Sequence, residues 1–380
     1  MPWLIPILLL LTLSLFDKST NKIKPLLPIT LSLLILIYSI TFSNGVDWVN
    51  YHNAYQDQPI ESISTRYEPL FHTLFQSFNL LLNNYYISSV LYFLTCIATL
   101  FLIIKSKKNI EHKLTFLLFM ICLSGLDLFI DQIRQLMATI IIIQATYTKV
   151  YTDKKSWILY VLAASAFHAS AIIAMLFLFI KDNKKTNIIF STAISLIIAI
   201  GLLNIEQIAA ELASQLDVFI FSKVIYYTSQ FDVKLRFGVV MAIDLIIIAT
   251  LVFTPSKKLT QPDRRITGLI FLASCLHITF YLFPILQRNM SYLYIPHALY
   301  AANHFKELTS GKTTTWSLFL LTGTIAISLI SLTNTLTGEL RPKITEWNID
   351  SPFDLSNKNK LLILKEQRCN TTNRISPGFC

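Results

Sequence analysis

One stretch, Trp157 to Ile180, WILYVLAASAFHASAIIAMLFLFI, limits the possible folds more than any other. Only Ser165, His168 and Ser170 interrupt its apolar run near the middle. It is long enough for one membrane-crossing helix, which needs about 20 residues. Yet Lys149, Lys154 and Lys155 precede it, and Lys181, Lys184 and Lys185 follow it. Short loops rich in Lys and Arg stay on the cytoplasmic side of a membrane. A single crossing would strand one cluster on the wrong face. A re-entrant helical hairpin keeps the two together: the chain rises, turns near His168 and returns. Each arm then has about 11 or 12 residues, roughly 17 Å of α-helix, too short to cross. Non-helical backbone at that depth requires protein around it or a watery cavity, so His168 is expected at the floor of a pocket open to the far side. The alternative is a tilted single span with His168 as a hydrogen-bonded helix residue.

Composition fixes the class. Of 380 residues, 53% are hydrophobic and 14% charged, against about 25% charged in soluble domains. An all-α polytopic membrane protein with about 10–12 transmembrane helices, including the hairpin, follows. The net charge of +10 reads as positive-inside topology. Its Lys and Arg lie scattered between apolar spans, which argues against a nucleic-acid surface. No basic segment precedes the apolar run Pro2 to Phe16, so no cleavable signal peptide is expected. Cys96, Cys122 and Cys275 fall in apolar spans and read as packing residues. Cys369 and Cys380 bracket the polar tail and are expected to close a disulfide where that tail faces an oxidising compartment.

Taking the N-terminus outside, a path with the hairpin puts every short basic loop in the cytoplasm, including Lys105 to Lys113 and the segment with Lys257, Lys258, Arg264 and Arg265. The single-span alternative would expose Lys181, Lys184, Lys185 and that last segment. The charge pattern therefore favours the hairpin. On this path, residues 1–334 form one membrane domain and 335–380 a periplasmic tail. Two long outer segments, Asn44 to Asn84 and Asn204 to Leu235, carry amphipathic stretches. Leu70, Leu74, Phe78 and Leu81 recur at helical spacing in the first, and Ile208, Leu212 and Leu216 in the second. Both read as helices on the outer interface. No internal repeat and no nucleotide-binding fingerprint is present.

The outer side gathers the chemistry. The first long segment offers Asp47, Tyr51 and His52, then Arg66, Tyr67 and Glu68. The turn before the fifth span offers Asp127, Asp131 and Arg134; if that stretch is helical, both carboxylates share a face with the arginine. His168 sits on the hairpin and Arg288 on the turn after the ninth span. Taken singly, Arg134 and Arg288 could be interface anchors, Asp47 and Glu68 caps or surface ion pairs, and the tyrosines an aromatic belt. Taken together, two arginines, a histidine and several carboxylates meet on one face, without the cysteine or paired-histidine spacing of a metal site. That set suits an anionic leaving group held by Arg and a hydroxyl activated by a carboxylate or imidazole.

The order of motifs is G-x-D-x-x-x-Y from Gly45 to Tyr51, YEPLF from Tyr67, IRQxxA from Ile133, FHxSA from Phe167 and R-x-x-x-Y from Arg288 to Tyr292. In that order and spacing the chain resembles the EpsG family, from about Leu26 to Phe305. The resemblance implies a Wzy-type polymerase of O-antigen or exopolysaccharide synthesis in the bacterial cytoplasmic (inner) membrane. Such an enzyme is a glycosyltransferase. It moves a growing glycan from undecaprenyl diphosphate onto a new lipid-linked repeat unit, on the periplasmic face. It uses no cofactor, and its expected partners are the bilayer and the chain-length regulator and flippase of the same pathway. Arg134 and Arg288, with Arg66, Tyr51 and Tyr67, are then the candidates for holding substrate and diphosphate. Asp47, Glu68 or His168 is the candidate base. Three rival functions are a non-catalytic scaffold for the polysaccharide machinery, a lipid-linked oligosaccharide flippase or other transporter, and a membrane glycan acyltransferase using His168. A transporter favours charges at mid-membrane and paired repeats, and an acyltransferase needs a path for a cytoplasmic donor; neither is evident.

Overall fold

A computed structural model describes residues 4–15, 26–41, 47–57, 67–205, 207, 208, 211, 237–255, 259–310, 314–337 and 366. Every regular element among them is helical, as expected of an all-α membrane protein. In chain order these are α1 (Leu4–Leu15), α2 (Leu26–Thr41), α3 (Trp48–Asp57), α4 (Pro69–Leu82), α5 (Tyr85–Ser106), α6 (Lys113–Ser124), α7 (Asp127–Ile130) and α8 (Ile133–Tyr147). After the hairpin, α9 (Trp157–Ser165) and a 3₁₀ helix (Ala169–Phe179), come α10 (Lys184–Leu203), α11 (Val239–Phe253), α12 (Gln261–Phe280), α13 (Met290–Leu293), α14 (Ile295–Ser310) and α15 (Thr315–Thr337). Tyr85–Ser106, Lys184–Leu203 and Thr315–Thr333 are each long and apolar enough to cross a membrane alone. Shorter apolar helices, among them Leu26–Thr41 and Val239–Phe253, pack with them.

The hairpin is present. The chain breaks at Ala166–His168, where His168 is extended (φ −154°, ψ 112°), and the second arm packs back along the first. Its return arm is 3₁₀ rather than α over 11 residues, an unusual length for that helix. The sequence explains the choice. Ala171, Ala174, Phe177 and Ile180 are all buried, three residues apart. At three residues per turn they form one straight stripe, whereas in an α-helix the same residues would drift around the axis. The base of the hairpin is fastened by Arg265 of α12. Its Nε donates to Asp182 Oδ1 (2.6 Å), its Nη2 to Asp153 Oδ2 (3.1 Å), and its Nη1 to the Val150 carbonyl (3.1 Å). Asp153 precedes the hairpin and Asp182 follows it, so both flanking basic clusters lie at one end of the bundle. Lys184 joins them there, donating to the carbonyls of Val252 and Thr254. Gly268 sits where α12 meets α10, and a Cβ there would run into the Asn187 amide.

Two expectations change in detail. The stretch that carries Asp127, Asp131 and Arg134 is not one helix: α6 stops at Gly125, whose φ of 77° suits a residue without Cβ, and α7 is a separate turn. Asp127, Asp131 and Arg134 therefore do not share one continuous helix. In α4 the face against the protein is Phe71, Phe75 and Asn79, while Leu70 and Leu81 are exposed on the other side. That second face is the one available to a membrane interface. The stretch with Leu212 and Leu216, and the cysteines Cys369 and Cys380, lie outside the described residues.

Between α11 and α12, Asp244 is fully buried in an otherwise apolar helix. Its Oδ2 lies 2.7 Å from His277 Nδ1, which also meets the Tyr294 hydroxyl at 3.0 Å. Buried ionisable groups in such helices persist when paired.

Candidate functional site

At the end of the bundle opposite the basic loops, four stretches distant in sequence gather around Arg134, the second residue of α8. Arg134 Nε donates to the Tyr51 hydroxyl (3.0 Å), and Nη1 donates to Glu68 Oε2 (2.7 Å). The rings of Tyr67, Tyr51 and Phe71 surround the guanidinium, with centroids 5.0, 5.5 and 5.7 Å away. Guanidinium planes are attracted to such ring faces. Tyr51 comes from α3 and Phe71 from α4, so packing of the two outer helices builds the cup.

Glu68 links this cup to the hairpin turn. Its Oε1 accepts from the Ala169 N–H (3.1 Å), and one residue pair further on the Leu70 N–H donates to the Ala166 carbonyl (3.0 Å). Burial opposes ionisation of Glu68, but the Arg134 guanidinium, His168 and the Ala169 N–H together hold its carboxyl below the usual range. His168 Nδ1 lies 2.7 Å from Ser170 Oγ and 3.2 Å from the Tyr292 hydroxyl. Nε2 is left as the ring nitrogen without a hydrogen bond among the described residues.

Asp47 begins the turn into α3. Its backbone N–H donates to Asp131 Oδ1, which is how the first outer segment is tied to the turn before α8. Among the described residues no hydrogen bond or ion pair holds the Asp47 carboxylate. It nevertheless lies within electrostatic reach of Arg134, Tyr51 and His168. Arg288 is exposed on the 3₁₀ turn Pro284–Asn289. Its backbone is held by Gln135, whose Nε2 donates to the Arg288 carbonyl (2.6 Å) and to Ser291 Oγ (2.7 Å).

Asp47, Tyr51, Tyr67, Glu68, Arg134 and His168 thus come together, with Arg288 on the adjoining turn. Arg66 lies outside the described residues. Asp131, noted from sequence with Arg134, joins the site through the Asp47 backbone, and Gln135, Ser170 and Tyr292 join it without having been proposed as members from sequence. These last three sit inside the very motifs that were noted: Gln135 follows Arg134, Ser170 follows His168 by two, and Tyr292 closes R-x-x-x-Y. Among the described residues no group of three or more His, Cys, Asp or Glu is placed to hold a metal ion.

The arrangement offers two cations, aromatic faces, carboxylates and an imidazole at one polar end of an apolar bundle. A family model described as the EpsG family matches residues 26–340. No curated protein and no solved structure matches the chain.

Proposed function

Since the chain belongs to the EpsG family of polysaccharide-synthesis membrane proteins, we propose that it is a Wzy-type polymerase acting on undecaprenyl-diphosphate-linked repeat units. The observation that carries this reading is the convergence on Arg134 at the end away from the basic loops. A lipid diphosphate sits at headgroup level, so its recognition calls for cations at the bundle end, not at mid-membrane. In the proposed reaction the bond between the anomeric carbon of the growing glycan and the diphosphate oxygen breaks. A bond forms from that carbon to a hydroxyl of the incoming unit. Undecaprenyl diphosphate leaves, and the acceptor proton passes to a base. Arg134 and Arg288 stabilise the charge that develops on the leaving diphosphate. Tyr51 and Tyr67 provide ring faces for sugar.

Among the three candidate bases, Asp47 is favoured because no hydrogen bond or ion pair among the described residues holds its carboxylate. Glu68 is engaged by Arg134, and the Nδ1 of His168 is engaged by hydroxyls. The protein would work in the bacterial inner membrane with its site on the periplasmic face, alongside the flippase and chain-length regulator of the same pathway.

The test is complementation of a polymerase-null strain. Arg134→Ala and Arg288→Ala are each expected to reduce long glycan chains to a single repeat unit while the protein stays in the membrane. By analogy with loss of one oxyanion-hole donor, each costs roughly 3–4 kcal/mol in the transition state. A normal ladder with both variants would overturn the reading.

A further inference from the structure

A guanidinium offers two donor edges to a phosphate, and a bidentate grip needs one edge whole. In Arg134 two of the three nitrogens already hold a protein partner, Nε the Tyr51 hydroxyl and Nη1 the Glu68 carboxylate. A diphosphate that takes two donors from this guanidinium and sits against its charge competes with one of those partners. Tyr51 is buried and packed among Tyr67 and Phe71, so its hydroxyl is fixed by the cup. Glu68 is only partly buried, with 18% of its side chain exposed.

Glu68 also holds its place like a guest. Its two oxygens divide between a guanidinium and the first N–H of the 3₁₀ arm, Ala169. Two oxygens of one phosphate would bridge the same pair of donors, since helix N-termini and arginine both receive anions. Glu68 stands at the N-cap position of α4 but makes no side-chain cap bond there, and Pro69 needs no N–H partner. Its departure therefore leaves α4 intact. The guanidinium would keep its three ring faces and the Tyr51 bond, so it stays aimed.

We propose that Glu68 is an internal counter-ion occupying the phosphate position of the resting site, and that the lipid diphosphate displaces it. This rests on the diphosphate reading above and adds the order of events: Arg134 changes partners, from Glu68 to substrate, at each donor binding. It makes Glu68 a competitor of the ligand rather than part of its grip.

The experiment measures binding of undecaprenyl diphosphate to the full chain in lipid nanodiscs, for wild type, Glu68→Gln, Glu68→Asp and Arg134→Ala, together with kcat and KM for polymerisation. Glu68→Gln removes the competing charge at nearly constant shape. Its affinity is expected to rise about tenfold, and both KM and kcat to fall as the product diphosphate is retained; one tenfold step corresponds to about 1.4 kcal/mol. Glu68→Asp, too short to span both donors, is expected to raise affinity by a smaller factor, and it decides the matter if Glu68→Gln does not fold. Unchanged or weaker binding in these variants overturns the exchange. If Arg134→Ala binds as wild type does, or wild type takes up no undecaprenyl diphosphate, the diphosphate reading itself fails. The two failures are therefore distinct.

Discussion

Gln135 holds Arg288 by its backbone: the Gln135 amide donates to the Arg288 carbonyl at 2.6 Å, and the Arg288 side chain is exposed. The two arginines proposed to share one diphosphate are thereby fixed relative to each other, because Gln135 is the next residue after Arg134 on α8. Gln135→Ala removes both bonds that the amide donates and leaves the Arg288 carbonyl only the longer one from Ser291 Oγ (3.2 Å), a loss of about 1–3 kcal/mol. Chain elongation is expected to fall roughly tenfold or more. Gln135→Glu, which sets a carboxylate against the carbonyl, is expected to fall further. Ladder length, normalised to membrane abundance, reads both.

Asp47→Asn keeps the backbone N–H that reaches Asp131 and removes only the carboxylate charge. If Asp47 takes the acceptor proton, the rate with purified lipid-linked repeat units drops by about 10²–10⁴. His168→Gln, which loses the link to Ser170 and Tyr292, is expected to cost less. A His168→Gln enzyme that is dead beside an active Asp47→Asn would move the base to the imidazole.

Arg265→Ala leaves Asp153 and Asp182 without the cation that fastens the hairpin base. Both carboxylates are partly exposed and regain water, so the expected loss is about 1–3 kcal/mol rather than that of a buried pair. Lys at 265 cannot reach two carboxylates and a carbonyl at once, and is expected to rescue little. The melting temperature of the detergent-solubilised protein measures this. Reporter fusions after Lys155 and after Lys185 are expected to report the same compartment.

Glu68 ionises more readily in the fold than in the unfolded chain, because Arg134 outweighs its burial. A carboxyl with a lowered folded pKa contributes stability that is complete above the unfolded value, about 4.3, and is lost as pH falls through the folded value. The fold is therefore expected to keep this contribution from pH 7 to about 5 and to lose it below about 4. Glu68→Gln removes that part of the acid dependence. Melting curves of the two proteins across pH 3–7 make the comparison.

The helical class and the hairpin were legible because charge placement acts at long range: two lysine clusters either share a face or do not. The gathering of Asp47, Glu68, Arg134 and His168 was legible for the same reason, since one polar end had to receive them all. What joins them was not. That Asp131 accepts from the Asp47 backbone depends on the helix break after Ile130, where Gln132 leaves the helical region (φ −89°, ψ 53°). Gln135 stood in the IRQxxA motif, but what it binds depends on where the Arg288 turn docks. The face of α4 that meets the protein was also hidden, because Phe71 and Phe75 form a second apolar stripe beside the leucines. Periodicity finds both stripes and cannot say which one meets protein and which meets lipid.

The three-residue stripe of the return arm has a consequence for depth. A 3₁₀ helix rises about 2.0 Å per residue and an α-helix about 1.5 Å, so 11 residues wound the first way reach about 5 Å further. The arm begins at Ala169, next to His168 and bonded to Glu68, and ends beside the Arg265 fastening. Its winding thus works as a ruler between the two ends of the bundle. With the lower end pinned, the spacing of alanines at 171 and 174 decides how far below the membrane surface the imidazole comes to rest.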